Sequence, residues 1–270
     1  MDHHSLTKAL AAALTALPKT DLNAVGAVQL MRRFDTKYVV PESWLPELVE
    51  AMSGHAHVLS VSGMEQCRYD NLYYELPGDQ FLQDHLRGKA RRMKIRKRRY
   101  ASNGLVFLEV KERLPGGRTV KERIATGHDI HQPLNASDHA FLGEKLRDAG
   151  HIEPRLSGGF HRTTLVDFNR SERVTVDRSL NAQVLGEADA PLLAGRAGLA
   201  GKQPKPDRYS PIQIWLRSQS RRKGVIGRKT KVSKYTVARL ARDGNIAGRA
   251  YLATYRRLMD AQSWAGDLQA

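Results

Sequence analysis

The ten-residue run RRMKIRKRRY at 91–100 contains seven Lys or Arg residues, and their spacing constrains the fold of this chain. Successive side chains of a β-strand point to opposite faces, so residues two apart share a face. Met93 and Ile95 fall together on one face of such a strand. The residues on the other face are Arg92, Lys94, Arg96 and Arg98, with Tyr100 at the end. The run therefore predicts a strand with one strongly basic face.

Four other segments place charged and apolar residues on alternate faces in the same way. Their polar faces are Arg33, Asp35 and Lys37; Glu109, Lys111 and Arg113; Thr119, Lys121 and Arg123; and Arg173, Thr175 and Asp177. Exposure to solvent explains any one such face, because many antiparallel sheets have one solvated side. It does not explain why all five faces are dominated by cations. Like charges directly opposite each other repel, so the set is stable when an anion lies among the cations.

A barrel would bring these five faces together around a basic lumen. Arg binds phosphate oxygens in pairs and Lys supplies a point charge, while Asp and Glu oxygens suit Mg²⁺ or Mn²⁺. Such a lumen would accommodate a chain of phosphates. The composition also indicates an anionic partner, because the 270 residues carry a formal charge of +16 and the pI is near 10.1. Charge alone leaves nucleic acid, an anionic membrane and a polyphosphorylated small molecule open.

Cysteine content and hydropathy indicate the compartment. The single cysteine, Cys67, excludes an intramolecular disulfide and a cysteine-based zinc site, and is typical of a reducing compartment. No stretch reaches eighteen consecutive apolar residues, so we expect no membrane span. Segment 6–17 has the composition of a signal peptide, but it lacks a basic start, contains Lys8 and leads into Pro18, which favours an amphipathic helix. We therefore expect a soluble, cytoplasmic chain.

Periodicity and turn residues predict an α+β protein dominated by antiparallel sheet. The predicted strands are 32–40, 66–76, 91–100, 105–113, 118–126, 159–168, 172–177, 180–185 and 210–216. The predicted helices are the first thirty residues, 41–52, 137–150, 233–241 and 246–264. In the third of these helices, Ser137 is the expected N-cap and Gly150 the expected stop. The Gly- and Pro-rich segment 192–208 is expected to be a connector or a loop over a site.

Six segments occur in an order that is specific to one family. They are RRFDTKYVV, YDNLYYELPGDQFLQDHLRGKARRMKIRKRRY, VFLEVKER, RTVKERI, FHRTTLVDFNRSERVTVDRSL and SKY. Together they resemble the polyphosphate polymerase domain of the vacuolar transporter chaperone family, within the CYTH-like triphosphate tunnel metalloenzymes. The resemblance implies an antiparallel β-barrel tunnel with flanking helices. It divides the chain into a helical lead-in (1–29), a tunnel domain (30–241) and a C-terminal helix (242–270).

The resemblance implies that the tunnel transfers the γ-phosphoryl group of ATP to a growing polyphosphate chain, releases ADP and uses Mn²⁺ or Mg²⁺. The residues implied for catalysis are Lys37, Arg96, Arg98, Lys111, Arg162 and Arg173. The residues expected to bind phosphate are Lys94, Lys121, Lys231 and Lys234. The implied partners are ATP and polyphosphate, with a membrane-protein partner that would hold the chain at the cytoplasmic face of a membrane.

One segment departs from the family pattern. The family carries a metal-binding glutamate and a lysine on its last strand, and the predicted strand 210–216 has Gln213 and Trp215 there. An amide oxygen carries no charge, so it holds a divalent cation more weakly than a carboxylate does. Either Asp35, Glu109 and Asp177 carry the metal, or catalysis is impaired while binding persists.

Three alternatives to a polymerase stay open. A binding module would hold polyphosphate or nucleotide without turnover, and the missing glutamate favours it. A triphosphatase would need a metal-activated water and more carboxylates than the sequence supplies. Nucleic-acid binding, for which no specific sequence is expected, would use outward residues such as Arg239 and Arg256, which also suit the wet face of an amphipathic helix. The histidines, His128 and His131 among them, lack ligand spacing and are expected on the surface or in loops.

Overall fold

A computed structural model describes residues 3–27, 34–146, 151–186, 190–191, 196–203, 211 and 215, with the backbone alone described at 3, 27, 34–37, 190–191 and 196. The predicted helices 233–241 and 246–264 lie outside these residues. The strands in the described residues are β1 (Lys19–Thr20), β2 (Phe34–Pro41), β3 (His57–Leu59), β4 (Cys67–Glu75), β5 (Arg92–Tyr100), β6 (Val106–Arg113), β7 (Thr119–Thr126), β8 (Glu153–Asp167), β9 (Glu172–Val184), β10 (Ala190–Pro191) and β11 (Arg196–Gln203).

The helices lie in the segments before and between the strands. They are α1 (His3–Thr15), α2 (Leu22–Ala27), a 3-10 helix (Glu42–Trp44), α3 (Leu45–Ala51), α4 (Gln80–Leu86) and α5 (Ala136–Gly143). Among the described helices, none has the length and apolar character needed to cross a membrane.

Eight strands form one antiparallel path in the order β2-β11-β9-β8-β4-β5-β6-β7. The two longest strands, β8 and β9, pair from Leu156–Val184 to Asp167–Glu172 and occupy the middle of the path. The short strands attach at its sides, β3 to β8, β1 in parallel to β3, and β10 to β9. Within the described residues no pairing joins β2 to β7. The α+β prediction with an antiparallel sheet and flanking helices is confirmed.

Helices cover one face of the sheet, while the other face carries charged side chains together with a second apolar cluster that includes Tyr69, Leu156 and Phe160. On β2, β9 and β11, this covered face packs against α1 and α3 through a cluster that includes Leu10, Leu48, Val40, Val176 and Leu199. On β4, β5 and β6, the covered face packs against α4 and α5 through a cluster that includes Phe81, Leu142, Ile95, Leu108 and Val110. Burial of apolar surface against the helices fixes which way each strand faces, and so which residues share the polar face.

The structure corrects several element boundaries. The segments 172–177 and 180–185 form the single strand β9, in which Ser179 has a φ of 51°. The helix predicted to start at Ser137 starts at Ala136, because the N-cap is Asn135. Asn135 Oδ1 accepts the Asp138 N–H at 2.8 Å, and Asp138 Oδ2 accepts the Asn135 N–H at 3.2 Å. That helix ends at Gly143, well before the expected stop.

Two larger corrections concern the end of the described chain. The segment expected to be a connector or loop contains β11, which lies between β2 and β9. The segment 210–216 was predicted to be the last strand, yet Pro211 and Trp215 are both helical. Small residues such as Ala200 and Gly201 have low strand propensity, so the sequence of β11 predicts a strand only weakly. Hydrogen bonding to β2 on one side and β9 on the other stabilises its extended conformation.

Candidate functional site

Alternate residues of the strands carry a set of cations that we name the tunnel face. These cations are Lys94, Arg96 and Arg98 on β5, Lys111 on β6, Lys121 on β7, Arg162 on β8, Arg173 on β9 and Lys202 on β11. Directly opposite residues share a face, as Arg96 does with Glu109 and Arg162 with Asp177. The exposed fractions of Arg96, Arg98 and Arg162 are 3, 0 and 1 %. Arginines on an open sheet face would be solvated, so this face is enclosed.

Glu109 holds two cations on the tunnel face of β5–β7. Arg96 donates from Nε, at 2.7 Å, and from Nη2 to Oε2 of Glu109, and Lys121 Nζ lies 2.9 Å from Oε1. Burial opposes the ionisation of Glu109, but the charges of Arg96, Arg98 and Lys121 lower its pKa to about 2. Burial lowers the pKa of Lys121 to about 8, although Glu109 opposes this shift. The Glu109 carboxylate is therefore an internal counter-ion at neutral pH.

Arg98 is a buried cation with unused hydrogen-bonding capacity. Its Nε donates to Asn71 Oδ1 at 2.8 Å, and its guanidinium carbon lies 5.3 Å from the ring centre of Tyr69. Within the described residues, neither Nη1 nor Nη2 has a hydrogen-bond partner. Burial and the charge of Arg96 lower the pKa of Arg98 to about 10, so it stays protonated at neutral pH. Two open nitrogens on a buried guanidinium are suited to an anion oxygen, since an unmade bond there is costly.

A stacked pair of rings contacts both Arg98 and Arg162. Tyr69 and Phe160 stack with ring centres 5.2 Å apart and an interplanar angle of 5°. The guanidinium carbon of Arg162 lies 5.4 Å from the Tyr69 centre and 5.0 Å from the Phe160 centre. Nε and Nη2 of Arg162 donate to the two oxygens of Asp177 at 2.6 and 2.7 Å. Although burial opposes it, Asp177 raises the pKa of Arg162.

The other side of the tunnel face is built on β9, β11 and β2. The cross-strand sets in this region are Asp177–Gly198–Val39, Thr175–Ala200–Lys37 and Arg173–Lys202–Asp35. Lys202 is fully buried, and Arg173 donates from Nη2 to the carbonyl of Val25 on α2 at 3.2 Å. The helical lead-in therefore covers this end of the tunnel face, beside two buried cations.

The β5–β7 edge of the tunnel face carries a row of lysines and a carboxyl group. Lys94 lies opposite Lys111, which lies opposite Lys121. Glu75, at the end of β4, accepts the N–H groups that open α4 at 2.9 and 3.3 Å. Burial raises the pKa of Glu75 to about 7, with the charge of Lys94 acting against it. Like charges side by side repel, so an anion between these lysines would stabilise the edge.

A polar cavity of about 290 Å³ lies on the other face of the sheet. Arg68 and Arg99 line it, and both donate to Asp70, at 2.9 and 2.8 Å. Arg99 also contacts Asp129 at 3.3 Å. The arginines of this cavity are therefore already paired with carboxylates, unlike Arg98 on the tunnel face.

The structure brings most of the residues expected at the site onto one face. Those with described side chains are Lys94, Arg96, Arg98, Glu109, Lys111, Lys121, Arg162, Arg173 and Asp177. Asp35 and Lys37 take positions on the same face by backbone register with β11. Gln213, Lys231 and Lys234 lie outside the described residues, so their placement stays a prediction.

Trp215 does not belong to the site. Its exposed fraction is 5 %, and it packs edge-on against Trp44 in the cluster between the helices and the sheet, with ring centres 6.1 Å apart. The last strand with described tunnel-face residues is β11, where Ala200 and Lys202 stand two apart. Ala200 and Lys202 have the spacing of two that the resemblance implies for the glutamate–lysine pair, with alanine at the first position and lysine at the second.

Sequence reasoning missed Lys202, Asn71 and the stacked rings of the site. Tyr69 and Asn71 alternate along β4, which would have assigned both to the face of Arg98, but neither carries a charge. Lys202 lies in a segment whose small residues and prolines are typical of a loop. The spacing of two between Ala200 and Lys202, which puts both on one face of a strand, was the available sequence signal for this part of the site.

Comparison with known proteins gives one family match. The model of the VTC domain family matches residues 32–238, which include the strands from β2 to β11. A search of curated proteins gave no significant match.

Solved structures give weaker similarities. An adenylate cyclase candidate from Bacillus halodurans is 12 % identical, with 75 % of this chain and 94 % of that chain covered and a TM-score of 0.44. An adenylyl cyclase candidate from Hippeastrum, described as having a dominant triphosphatase activity, is 18 % identical, with coverage of 77 % and 95 % and a TM-score of 0.42. An adenylate cyclase candidate from Vibrio parahaemolyticus is 12 % identical, with coverage of 70 % and 86 % and a TM-score of 0.39.

Proposed function

The chain belongs to the VTC domain family, and on that premise we propose that its tunnel face binds a chain of phosphates and transfers the γ-phosphoryl group of ATP to the end of polyphosphate. The observation that carries the proposal is Arg98, a fully buried cation whose terminal nitrogens have no hydrogen-bond partner in the described residues. Leaving two donors of a buried guanidinium without hydrogen-bond partners is costly, and phosphate oxygens would remove that cost.

The distribution of cations supports a linear ligand with several phosphates. Glu109 contacts both Lys121 and Arg96, and the charge of Arg96 acts on Arg98. Arg162 lies next, against the same stacked rings that Arg98 contacts. These cations come from β7, β5 and β8 in turn, so they extend across the sheet rather than around one point. A single phosphate would engage a few of them, whereas a chain of phosphates would engage the whole row.

In the proposed reaction, a terminal oxygen of polyphosphate attacks the γ-phosphorus of ATP. A new P–O bond forms to that oxygen, the bond from the γ-phosphorus to the β,γ-bridging oxygen breaks, and ADP leaves with the bond's electron pair. Phosphoryl transfer needs in-line positioning and neutralisation of charge on the equatorial oxygens, and fixed guanidinium and ammonium groups supply both. Arg98 is suited to the equatorial oxygens because its Nη atoms are open, while Arg96 and Arg162 are held beside it.

The resemblance implies Mn²⁺ or Mg²⁺, and the described carboxylates do not fit a metal ion held by the protein. Glu109 is bound by Arg96 and Lys121, and Asp177 by Arg162. The divalent ion of this proposal is therefore the one that accompanies ATP in solution. Every step above is assigned to side chains of the chain itself.

A non-catalytic binding module is a second candidate, and one observation favours it. On the last described strand the residue two before Lys202 is Ala200, whereas the resemblance implies a metal-binding glutamate two before a lysine. A tunnel with its cations but without that carboxylate would retain affinity for polyphosphate while losing turnover. A triphosphatase would release inorganic phosphate, whereas neither a polymerase nor a binding module would.

One incubation and one melting-temperature measurement together distinguish the three functions. Purified protein is mixed with ATP, MnCl₂ and a short polyphosphate primer, and chain length, ADP and inorganic phosphate are measured together. A polymerase lengthens the chain in step with ADP, and Arg98→Ala abolishes this. Inorganic phosphate without chain growth indicates a triphosphatase. If neither product forms, but polyphosphate raises the melting temperature of the protein and not that of Arg98→Ala, the binding module is correct.

A further inference from the structure

The acidic side chains at the tunnel face are already engaged by the protein. Among the side chains that the structure describes, three carboxyls lie on or beside this face: Glu109, Asp177 and Glu75. Both oxygens of Glu109 contact cations, and both oxygens of Asp177 accept hydrogen bonds from Arg162. Glu75 accepts the backbone N–H groups that open α4. A divalent cation prefers several charged oxygen ligands, so it would have to displace an existing partner at each.

The position that would complete a carboxylate site has no acidic side chain. Ala200 lies between Thr175 on β9 and Lys37 on β2, and Gly198 lies opposite Asp177. Of the atoms in the described part of the chain, a Cβ at Gly198 would find only the Asp177 Cβ, 3.9 Å away, within contact distance. In the described ranges, no three His, Cys, Asp or Glu side chains lie close enough together to hold a metal ion.

We infer that the tunnel face binds a phosphate chain without a metal ion held by the protein, its own arginines and lysines supplying the countercharge. The inference rests on the proposed function, because it concerns the same ligand at the same site. Among the described side chains, eight cations stand against three carboxyls on or beside this face, those of Glu109, Asp177 and Glu75. Arg98, whose two terminal nitrogens have no hydrogen-bond partner among the described residues, supplies charge without any rearrangement of the Arg162–Asp177 pair.

Without a metal ion held by the protein, divalent cations in solution should weaken the binding of a phosphate chain rather than strengthen it. A divalent cation in solution coordinates phosphate oxygens and reduces the negative charge that the chain presents to arginine and lysine. If the protein supplied carboxylates for the metal, the cation would bridge the two and strengthen binding. If the protein supplies only cations, the same ion competes with them and weakens binding.

The test measures the melting temperature of the full chain with inorganic tripolyphosphate. Metal is removed by passing buffers over chelating resin, because a soluble polyanionic chelator would itself bind a basic tunnel. The expected result is a large upward shift in metal-stripped buffer that shrinks as MnCl₂ is added. A shift that appears only with MnCl₂, or grows with it, would overturn the inference and leave the proposed ligand intact. No shift under either condition would overturn the proposed function itself.

A pair of variants tests position 200 directly. Ala200→Glu adds a carboxylate beside Thr175, and Ala200→Gln adds the same bulk without charge. MnCl₂ alone is expected to raise the melting temperature of Ala200→Glu but not that of the wild-type protein or of Ala200→Gln. A Mn²⁺-induced shift of equal size in the wild-type protein would contradict metal-free binding. Lack of a gain in a folded Ala200→Glu variant would contradict the assignment of position 200 as the missing carboxylate.

Discussion

Arg96 and Glu109 lie directly opposite each other on β5 and β6 and form a buried ion pair in which two nitrogens of the guanidinium share Oε2. The carboxylate therefore takes a position among cations that a phosphate oxygen would also favour. Removing one partner of a buried pair leaves an uncompensated charge, whereas a ligand anion can replace that partner. We therefore expect Glu109 to stabilise the ligand-free protein and to compete with a bound phosphate chain.

We expect Glu109→Gln to lower stability and raise affinity for tripolyphosphate. The free energy of unfolding should fall by roughly 3 kcal/mol, because Arg96 and Lys121 lose their carboxylate. Titration calorimetry should show tighter tripolyphosphate binding than in the wild-type protein. The control is Glu112→Gln on the same strand, whose partner Arg91 is largely exposed and whose loss should cost less than about 1 kcal/mol. Weaker tripolyphosphate binding by Glu109→Gln would show that Glu109 supports the ligand.

Arg98→Ala should remove most of the stabilisation that tripolyphosphate gives. A ligand at a hundredfold excess over Kd adds about 2.7 kcal/mol to folding, and the variant lacks the guanidinium with open nitrogens. Differential scanning calorimetry with and without ligand measures the effect. Arg91→Ala, which removes an exposed arginine from the same basic run, should keep the wild-type shift. Equal losses in both variants would indicate binding by general surface charge.

Lys121 should make tripolyphosphate affinity depend on pH. Burial lowers the pKa of Lys121 to about 8, so its charge is lost as pH rises from 7 to 9. Since one proton is involved, the affinity should fall by at most about tenfold per pH unit through this group. Lys121→Arg keeps its charge and should show a flatter profile, while protonation of the ligand affects both proteins equally. Parallel profiles would mean that Lys121 does not contact the ligand.

Glu75 should make stability decrease between mildly acidic and neutral pH. Burial raises its folded-state pKa to about 7 from 4.5, so the folded protein binds the proton more tightly than the unfolded chain does. This contribution to stability is full below pH 4.5 and is lost as pH rises through 7. Glu75→Gln keeps an oxygen for the N–H groups that open α4 and should flatten the melting temperature over this range. Unchanged pH dependence in the variant would exclude Glu75 as its source.

The sequence predicted the tunnel face where strands alternate strictly between charged and apolar residues. Arg96, Glu109 and Arg173 were placed this way because apolar neighbours such as Ile95 and Leu108 pack beneath helices and fix the strand's orientation. Lys97 shows the limit of the pattern, since it lies on the apolar face of β5. It is fully buried, and its Nζ lies 2.7 Å from His128 Nε2.

The remaining features depend on contacts between distant segments, which local sequence patterns do not predict. His128 lies in the loop after β7, as expected, but its contacts with Asp138 at 3.2 Å and with Lys97 at 2.7 Å could not be foreseen from the sequence. β11 was missed because Gly198, Ala200 and Gly201 have little strand propensity, and its two neighbours in the sheet determine its conformation. The absence of a carboxylate at position 200 could be located only once β11 was known.

The binding of a phosphate chain on the tunnel face is tested most directly by a crystal structure of the protein with tripolyphosphate. We expect phosphate oxygens within hydrogen-bonding distance of Arg98 Nη1 and Nη2, with further phosphates near Lys121 and Arg162. A ligand bound instead in the cavity that Arg68 and Arg99 line on the other face of the sheet, with the Arg98 nitrogens still unoccupied, would contradict the account.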